Sequence, residues 1–254
     1  MLPNTIQYQI NFWDSFAKES FKFPGAFAFV TGLKTPLINL LLLEQQNIET
    51  LQRVLPRAQN FFAQHNVPWG VNVIDNGSSK EIIGFLKNNG FKDICRQFQM
   101  ETRLDSLVSD FVSAYDIKQV TDTNMLLDWI IPVANAFEAA ASDSKQYLKL
   151  VENAFNKEKN SFEHFVLYSN NKPISSATLT IINDVARLDN VATVKELQNQ
   201  GFGKQIISYS IERARNAGAK HIIFESSEAG INLYKKMGFV EINTSSIYSL
   251  SEIL

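Results

Sequence analysis

The sequence predicts an α/β protein of two similar domains, each a mixed, mostly antiparallel sheet flanked by helices. Three observations predict it. The chain has 254 residues, enough for two domains of ordinary size. Two stretches repeat one order of parts, "QHNVPWGVNVIDNGSSKEIIGFLKNNGFKDI" (64–94) and "NAGAKHIIFESSEAGINLYKKMGFVEI" (216–242). Each reads as a turn, a short apolar strand, a serine-bearing polar loop and an amphipathic helix that ends at Gly-Phe before a new strand. In the second half, three successive strands come before a strand–helix–strand unit. The sheet is therefore antiparallel first and locally parallel at its end.

In the first domain, "PLINLLLL" (36–43) reads as a buried strand, "ETLQRVLPRAQNFFAQ" (49–64) as a helix, "GVNVI" (70–74) as a strand and "KEIIGFLKNN" (80–89) as a second helix. Gly90 and Gly238, 148 residues apart, suit the left-handed position just past a helix end, where the following Phe covers the last turn. Trp13 and Trp69 read as core. The boundary falls near residues 104–116, within "METRLDSLVSDFVSAYD", giving domains at 1–108 and 109–254. In the second domain a strand is expected near 116–120. Helices follow near 123–139, capped by Thr121 or Thr123, and near 143–158. Strands follow near 162–169, 173–182 and 185–194. A long helix then runs to about 217, with a strand at 220–225, a helix at 228–237 and one or two closing strands.

Composition narrows the function. Net charge is −2, with 45% hydrophobic and 20% charged residues. That describes a globular chain with a core and no global basic field for nucleic acid. One cysteine and three scattered histidines give neither an internal disulfide nor a metal site. No basic segment followed by an apolar run opens the chain. The apolar run at 36–43 is too short for a bilayer and is interrupted by Asn39. A cytoplasmic protein that does not engage membranes is expected, as monomer or homodimer.

The segment "VATVKELQNQGFGKQII" (191–207) carries the chemistry. It joins a strand to a helix whose Ile206, Ile207, Ser210, Ile211 and Ala214 form an inward face. The first N–H groups of a helix lack internal partners, and the dipole makes that end positive. Glycines let the backbone approach a bulky anion, so the turn suits a phosphate. It is not a Walker loop, because Gln205 follows Gly203-Lys204. It is not the dinucleotide fingerprint, because Ile206 stands where the third glycine belongs.

What remains, Gln198-x-x-Gly201-x-Gly203, resembles motif A of the GNAT superfamily of acyl-CoA-dependent N-acetyltransferases. "NLYKKMGF" resembles the family's later leucine-tyrosine pair closing on Gly-Phe. The resemblance covers about the last 140 residues. The first 105 or so share only the helix–strand–helix–Gly-Phe part and have no motif A, which makes the first domain a degenerate copy. The resemblance implies acetyl-CoA as co-substrate, with no metal. Val191, Ala192 and Thr193 would bind the pantetheine arm through free backbone groups, one N–H polarising the thioester carbonyl. Gln198, Asn199, Gln200, Gly201, Phe202, Gly203 and Lys204 would contact the pyrophosphate. Tyr234 would protonate the departing thiolate. Ser227 stands where many members carry asparagine, still within reach of the cofactor. No general base is evident. Asp189 and Glu225 are the candidates, acting through water, against the plainer reading of surface or capping carboxylates. The implied function is transfer of an acetyl group to a primary amine of a small molecule, peptide or protein. The competing reading is a non-catalytic acyl-CoA sensor or regulatory module.

Overall fold

The computed structural model describes residues 5–77, 79–107, 113–157 and 162–251. The expected boundary at 108/109 lies outside the described residues. The chain divides into two compact units. One comprises the described residues of Met1–Gln99, Ser226–Glu228 and Ile242–Leu254. The other comprises those of Met100–Glu225 and Ala229–Glu241.

The first unit opens with helix α1 (Thr5–Phe16) and the hairpin β1 (Glu19–Phe23) and β2 (Ala26–Val30). Then come β3 (Leu40–Leu43), α2 (Ile48–Gln64), β4 (Gly70–Ile74), α3 (Ser79–Asn88) and β5 (Lys92–Arg103), which leads on toward the second unit. β1–β2 and β2–β3 are antiparallel, and β3–β4 is parallel. α1 and the hairpin had no periodic signature in the sequence reading. One core of this unit packs Leu41, Leu43, Val71 and Val73 against Leu51, Val54, Ala58 and Phe62 of α2. The other packs Leu40, Leu42 and Ile74 against Ile6 and Ile10 of α1. Trp69 stacks on Phe62 at 4.6 Å, and Trp13 packs against the α1 core.

The expected strand at 36–43 is only half formed. Asn39 is fully buried and spends its amide on loop backbone. Its Oδ1 accepts from the Thr31 N–H at 2.8 Å, and its Nδ2 donates to the carbonyls of Leu33, Thr35 and Pro68 at 2.8–2.9 Å. A buried amide must satisfy its donors and acceptor, and here that pins a turn and holds the strand to Leu40–Leu43.

The second unit contains β6 (Asp116–Gln119), α4 (Met125–Ala136), α5 (Ala141–Phe155), β7 (Phe162–Ser169), β8 (Lys172–Ile182), β9 (Val185–Thr193), α6 (Phe202–Asn216), β10 (His221–Ser226) and α7 (Ile231–Lys236). β6–β7, β7–β8 and β8–β9 are antiparallel, and β9–β10 is parallel. The mixed, mostly antiparallel sheet expected from sequence is present. α4 anchors through Trp129, which is fully buried and donates its indole N–H to the Ala177 carbonyl at 3.2 Å. The α4 cap is not a threonine. Asp122 Oδ1 accepts from the N–H groups of Asn124 and Met125 at 2.8 and 3.0 Å, since a short carboxylate reaches two orphan amides at once.

The final strand, β11 (Val240–Ser249), pairs antiparallel with β4, Ser245 opposite Ile74 and Ser249 opposite Gly70. The chain's last strand thus completes the sheet of the first unit. The two helix ends at Gly-Phe share one geometry. Gly90 and Gly238 have φ of 84° and 93°. Phe91 N–H donates to the Leu86 carbonyl at 3.0 Å, and Phe239 N–H to the Tyr234 carbonyl at 3.1 Å. These are six-to-one helix stops, and they place Leu86 in α3 where Tyr234 stands in α7. No described helix is long and apolar enough to cross a membrane.

Candidate active site

The site is built at the end of β9. Three pairs, Val185–His221, Ala186–Ile222 and Arg187–Ile223, join β9 to β10. Beyond Arg187 the described strands form no further pair, although β9 continues to Thr193. A strand edge left open in this way presents unpaired N–H and C=O groups. The other edge of β9 stays on β8 with a change of register. Thr178 faces Asp189 and Ser176 faces Ala192, so three steps on β9 match two on β8. That is a bulge, and Asn190 within it has φ of 52°. Past the bulge, Val194 N–H donates to Ile174 C=O on the β8 side at 3.0 Å. Strand alternation then turns the N–H groups of Thr193 and Val191 to the open edge.

The turn after β9 brings the predicted residues together. A short 3-10 helix at Lys195–Leu197 leads to Gln198, whose side chain donates to the Thr193 carbonyl at 3.1 Å. Gln198 therefore ties the turn back onto the strand end. Asn199 takes φ of 61°, and Gln200 donates to the Glu196 carbonyl at 3.2 Å. Gly201 caps α6 with φ of 91°, no side-chain hydrogen bond closes the helix start, and nothing lies within 4 Å of where its Cβ would be. Phe202 is buried with its ring edge-on to Tyr115 at 5.0 Å, so its side chain anchors the helix while its N–H remains at the helix start. A Cβ on Gly203 would sit 3.5 Å from both Leu233 Cδ2 and Thr193 Oγ1. That one position records the convergence of α6, α7 and the end of β9. Lys204 is exposed.

Among its described residues, the first unit has nothing equivalent. β3 ends at Leu43 and α2 begins at Ile48, too few residues for such a turn. The α2 start is also closed, because Asn47 Oδ1 accepts from the Thr50 N–H at 2.8 Å. A cap of this kind occupies a donor that an anion would need.

Beside the open edge lies a cluster of charged side chains that overturns the plainer reading of its two carboxylates. Asp189 and Glu225 are neither surface nor capping groups. Arg187 is buried and bridges them, at 2.7 Å to Asp189 and 2.5 Å to Glu225. Their side chains are 13% and 11% exposed. Burial raises the Asp189 carboxyl to about 6; Arg187 opposes the shift and Glu225 adds to it. Burial works against the Arg187 charge, but the two carboxylates outweigh it and keep it protonated. Asp189 Oδ2 is buried and has no hydrogen-bond partner among the described residues. Such an atom calls for an explanation, and a reacting proton supplies one. The signal was available: Arg187-x-Asp189 on a strand puts both charges on one face of an otherwise apolar segment.

Tyr234 is buried, with its ring 4.3 Å from Phe224 and 5.8 Å from Phe239. Burial, and secondarily the Asp189 charge, raise its hydroxyl above the usual tyrosine range, so it carries its proton. The same charge acts on Tyr147 of α5. Tyr147 Oη donates to Asn190 Oδ1 at 2.7 Å. Ser227 is exposed, in the loop between β10 and α7. The sequence reading missed Arg187, Tyr147 and Asn190.

Known proteins share this architecture. Residues 126–239 match the family model "Acetyltransferase (GNAT) family". The chain is 23% identical over 175 residues to the uncharacterized N-acetyltransferase YobR of Bacillus subtilis, covering 67% of this chain and 68% of that one. A GCN5-related N-acetyltransferase from Kribbella flavida superposes with a TM-score of 0.74 at 13% identity, covering 96% of this chain and 93% of the other. A tandem GNAT protein from the clavulanic acid biosynthesis pathway superposes with a TM-score of 0.62 at 12% identity, over 89% and 78%. At these identities the two solved structures speak to the fold, and the family model speaks to the segment that holds the site. Over residues 126–239, the chain carries a domain of the acetyltransferase (GNAT) family.

Proposed function

We propose that this protein is an N-acyltransferase that moves an acetyl group from acetyl-CoA to a primary amine of a small molecule, peptide or protein by direct attack. The observation that carries the reading is an open helix start at Gly201 set against an unpaired strand edge at Val191–Thr193, with Asp189 and Tyr234 beside it. These features fit the cofactor. A left-handed glycine with open space over it admits a pyrophosphate, and a free strand edge accepts an extended, amide-bearing arm.

When bound, acetyl-CoA supplies an activated acyl thioester. The chain's own groups do the rest. The N–H groups of Phe202, Gly203 and Lys204 would hold the pyrophosphate, with Gln198 fixing the turn and Asn199 and Gln200 shaping its rim. The N–H groups of Val191 and Thr193 would hold the arm and polarise the carbonyl oxygen, with Ala192 keeping the strand seated on β8. Asp189, raised toward neutrality, suits the task of taking a proton from the incoming ammonium, directly or through water. Tyr234, protonated in its buried setting, suits the task of returning one to the sulfur. Both groups are raised, which leaves the carboxylate a proton acceptor at neutral pH and the tyrosine a proton donor, as an acid–base pair requires.

The test is release of CoA thiol from acetyl-CoA across a panel of primary amines. Amine-dependent release supports the enzyme. Tight acetyl-CoA binding with no release on any amine would instead make the protein a sensor.

A further inference from the structure

We propose that Tyr147 of α5 is a positioning residue that acts through Asn190 to aim the Val191 N–H at the acyl carbonyl. The proposal rests on the acetyl-CoA reading of this site and deepens it.

Three observations meet at Asn190. It is the residue inside the β9 bulge, between the Thr178–Asp189 and Ser176–Ala192 pairs. It holds φ of 52°, a region that costs an L-residue on the order of 1–2 kcal/mol, less for asparagine. Its side chain is gripped from a helix, not from its own sheet. Tyr147 Oη donates to Oδ1 at 2.7 Å, while Nδ2 reaches Thr178 Oγ1 at the long distance of 3.5 Å. Thr178 is in turn fixed by His164 Nδ1 at 2.9 Å. Burial pushes His164 down to about 3, so this end of the chain of contacts does not change charge in the neutral range.

The consequence is geometric. The Asn190–Val191 peptide is the unit whose direction the bulge sets, and strand alternation turns its N–H to the open edge of β9. A donor that polarises a carbonyl must be held near its productive direction before the carbonyl arrives. Without the tyrosine, the bulge can relax toward regular pairing on β8, which would rotate that N–H away. Tyr147 also stacks along Trp129 at 6.4 Å and 16°, so its hydroxyl is delivered by a ring anchored in the α4 core. The device therefore links the α4–α5 helix pair to the strand edge where the reaction is expected.

The experiment compares wild type, Tyr147→Phe, Asn190→Gly and the double variant. One readout needs no turnover: the amide resonance of Val191 on adding acetyl-CoA against adding CoA alone. In wild type the acetyl group should shift it downfield relative to CoA, and in Tyr147→Phe that difference should at least halve, with the Kd for CoA unchanged within twofold. With an amine substrate, kcat should fall about tenfold in Tyr147→Phe with the KM for acetyl-CoA within twofold. The double variant should be no slower than Asn190→Gly, because the tyrosine acts through the asparagine. Asn190→Asp, which keeps the acceptor and tolerates positive φ, should retain at least half of the shift difference. An unchanged Val191 difference in Tyr147→Phe, or additive losses in the double variant, would overturn the proposal. Failure of wild type to release thiol on any amine would overturn the enzymatic reading alone, since the resonance readout requires only that acetyl-CoA binds.

Discussion

Gly201 and Gly203 stand two residues apart and do different work. Gly201 needs its glycine for the backbone, with φ of 91° and open space around it. At Gly203 a Cβ would meet Leu233 and Thr193 at 3.5 Å, an ordinary contact that an alanine satisfies and a larger side chain overfills. Gly201→Ala should cost about 1 kcal/mol of stability and weaken acetyl-CoA binding, read by thermal unfolding and titration. Gly203→Ala should bind within about twofold of wild type, while a bulkier Gly203→Val should not. Tyr234→Phe keeps the ring packing on Phe224 and Phe239 and removes only the hydroxyl. Turnover should drop at least tenfold with the Kd for acetyl-CoA unchanged, and wild-type turnover would refute the acid role. Asp189 sets the pH dependence. With its carboxyl raised to about 6, kcat/KM should fall on the acid side with a midpoint near that pH, and Asp189→Asn should lose both the rate and that limb. The stability sign runs the other way. A raised folded value favours the fold below the ordinary aspartate range, about pH 4, and that gain is lost as pH rises through 6. Asp189→Asn should therefore gain on wild type in unfolding free energy between those values.

Elements were legible where one period ran long enough to dominate. α2, α3, α6 and the three long strands of the second unit showed their periods plainly, and the Gly-Phe stops of α3 and α7 showed their turn chemistry. The opening helix α1 and the β1–β2 hairpin were not legible. "NFWDSFAKESFKFPGAFAF" places aromatics at several spacings, and neither period stands out. At 36–43 an apolar run outweighed the one buried amide that decides where the strand begins. The α4 start went to the wrong side chain because Asp122 lies between two threonines that looked equally able to cap. Of the site, the turn and Tyr234 could be read because glycine and motif spacing are local. Asp189 and Glu225 could be named and the Arg187-x-Asp189 spacing seen, but the pairing of Arg187 with Glu225 could not, since it depends on the register of two strands that are distant in sequence. Trp129 gives an element-scale prediction. Trp129→Phe should keep the helix but lose the indole's hydrogen bond to the Ala177 carbonyl, at a cost of about 0.5–1.5 kcal/mol, seen as a lower denaturant midpoint with an unchanged slope.

At the scale of the molecule, two units share one plan and differ where the chemistry lies. Both carry a parallel pair after antiparallel strands, and both stop a helix at Gly-Phe. Among the described residues, the second unit has a strand edge that runs past its last pair on β10, an α6 start with no side-chain cap where the first unit's α2 is capped, and a tyrosine where the first unit has Leu86. The first unit closes its own helix start with Asn47 and takes β11 as its last strand. One chain should therefore hold one cofactor, at the second unit. Calorimetric titration with acetyl-CoA tests this most directly, using wild type and Gly201→Val. The expected result is one site per chain in wild type, and loss of binding in a variant that still unfolds cooperatively. Two sites per chain, or undiminished binding in Gly201→Val, would contradict it.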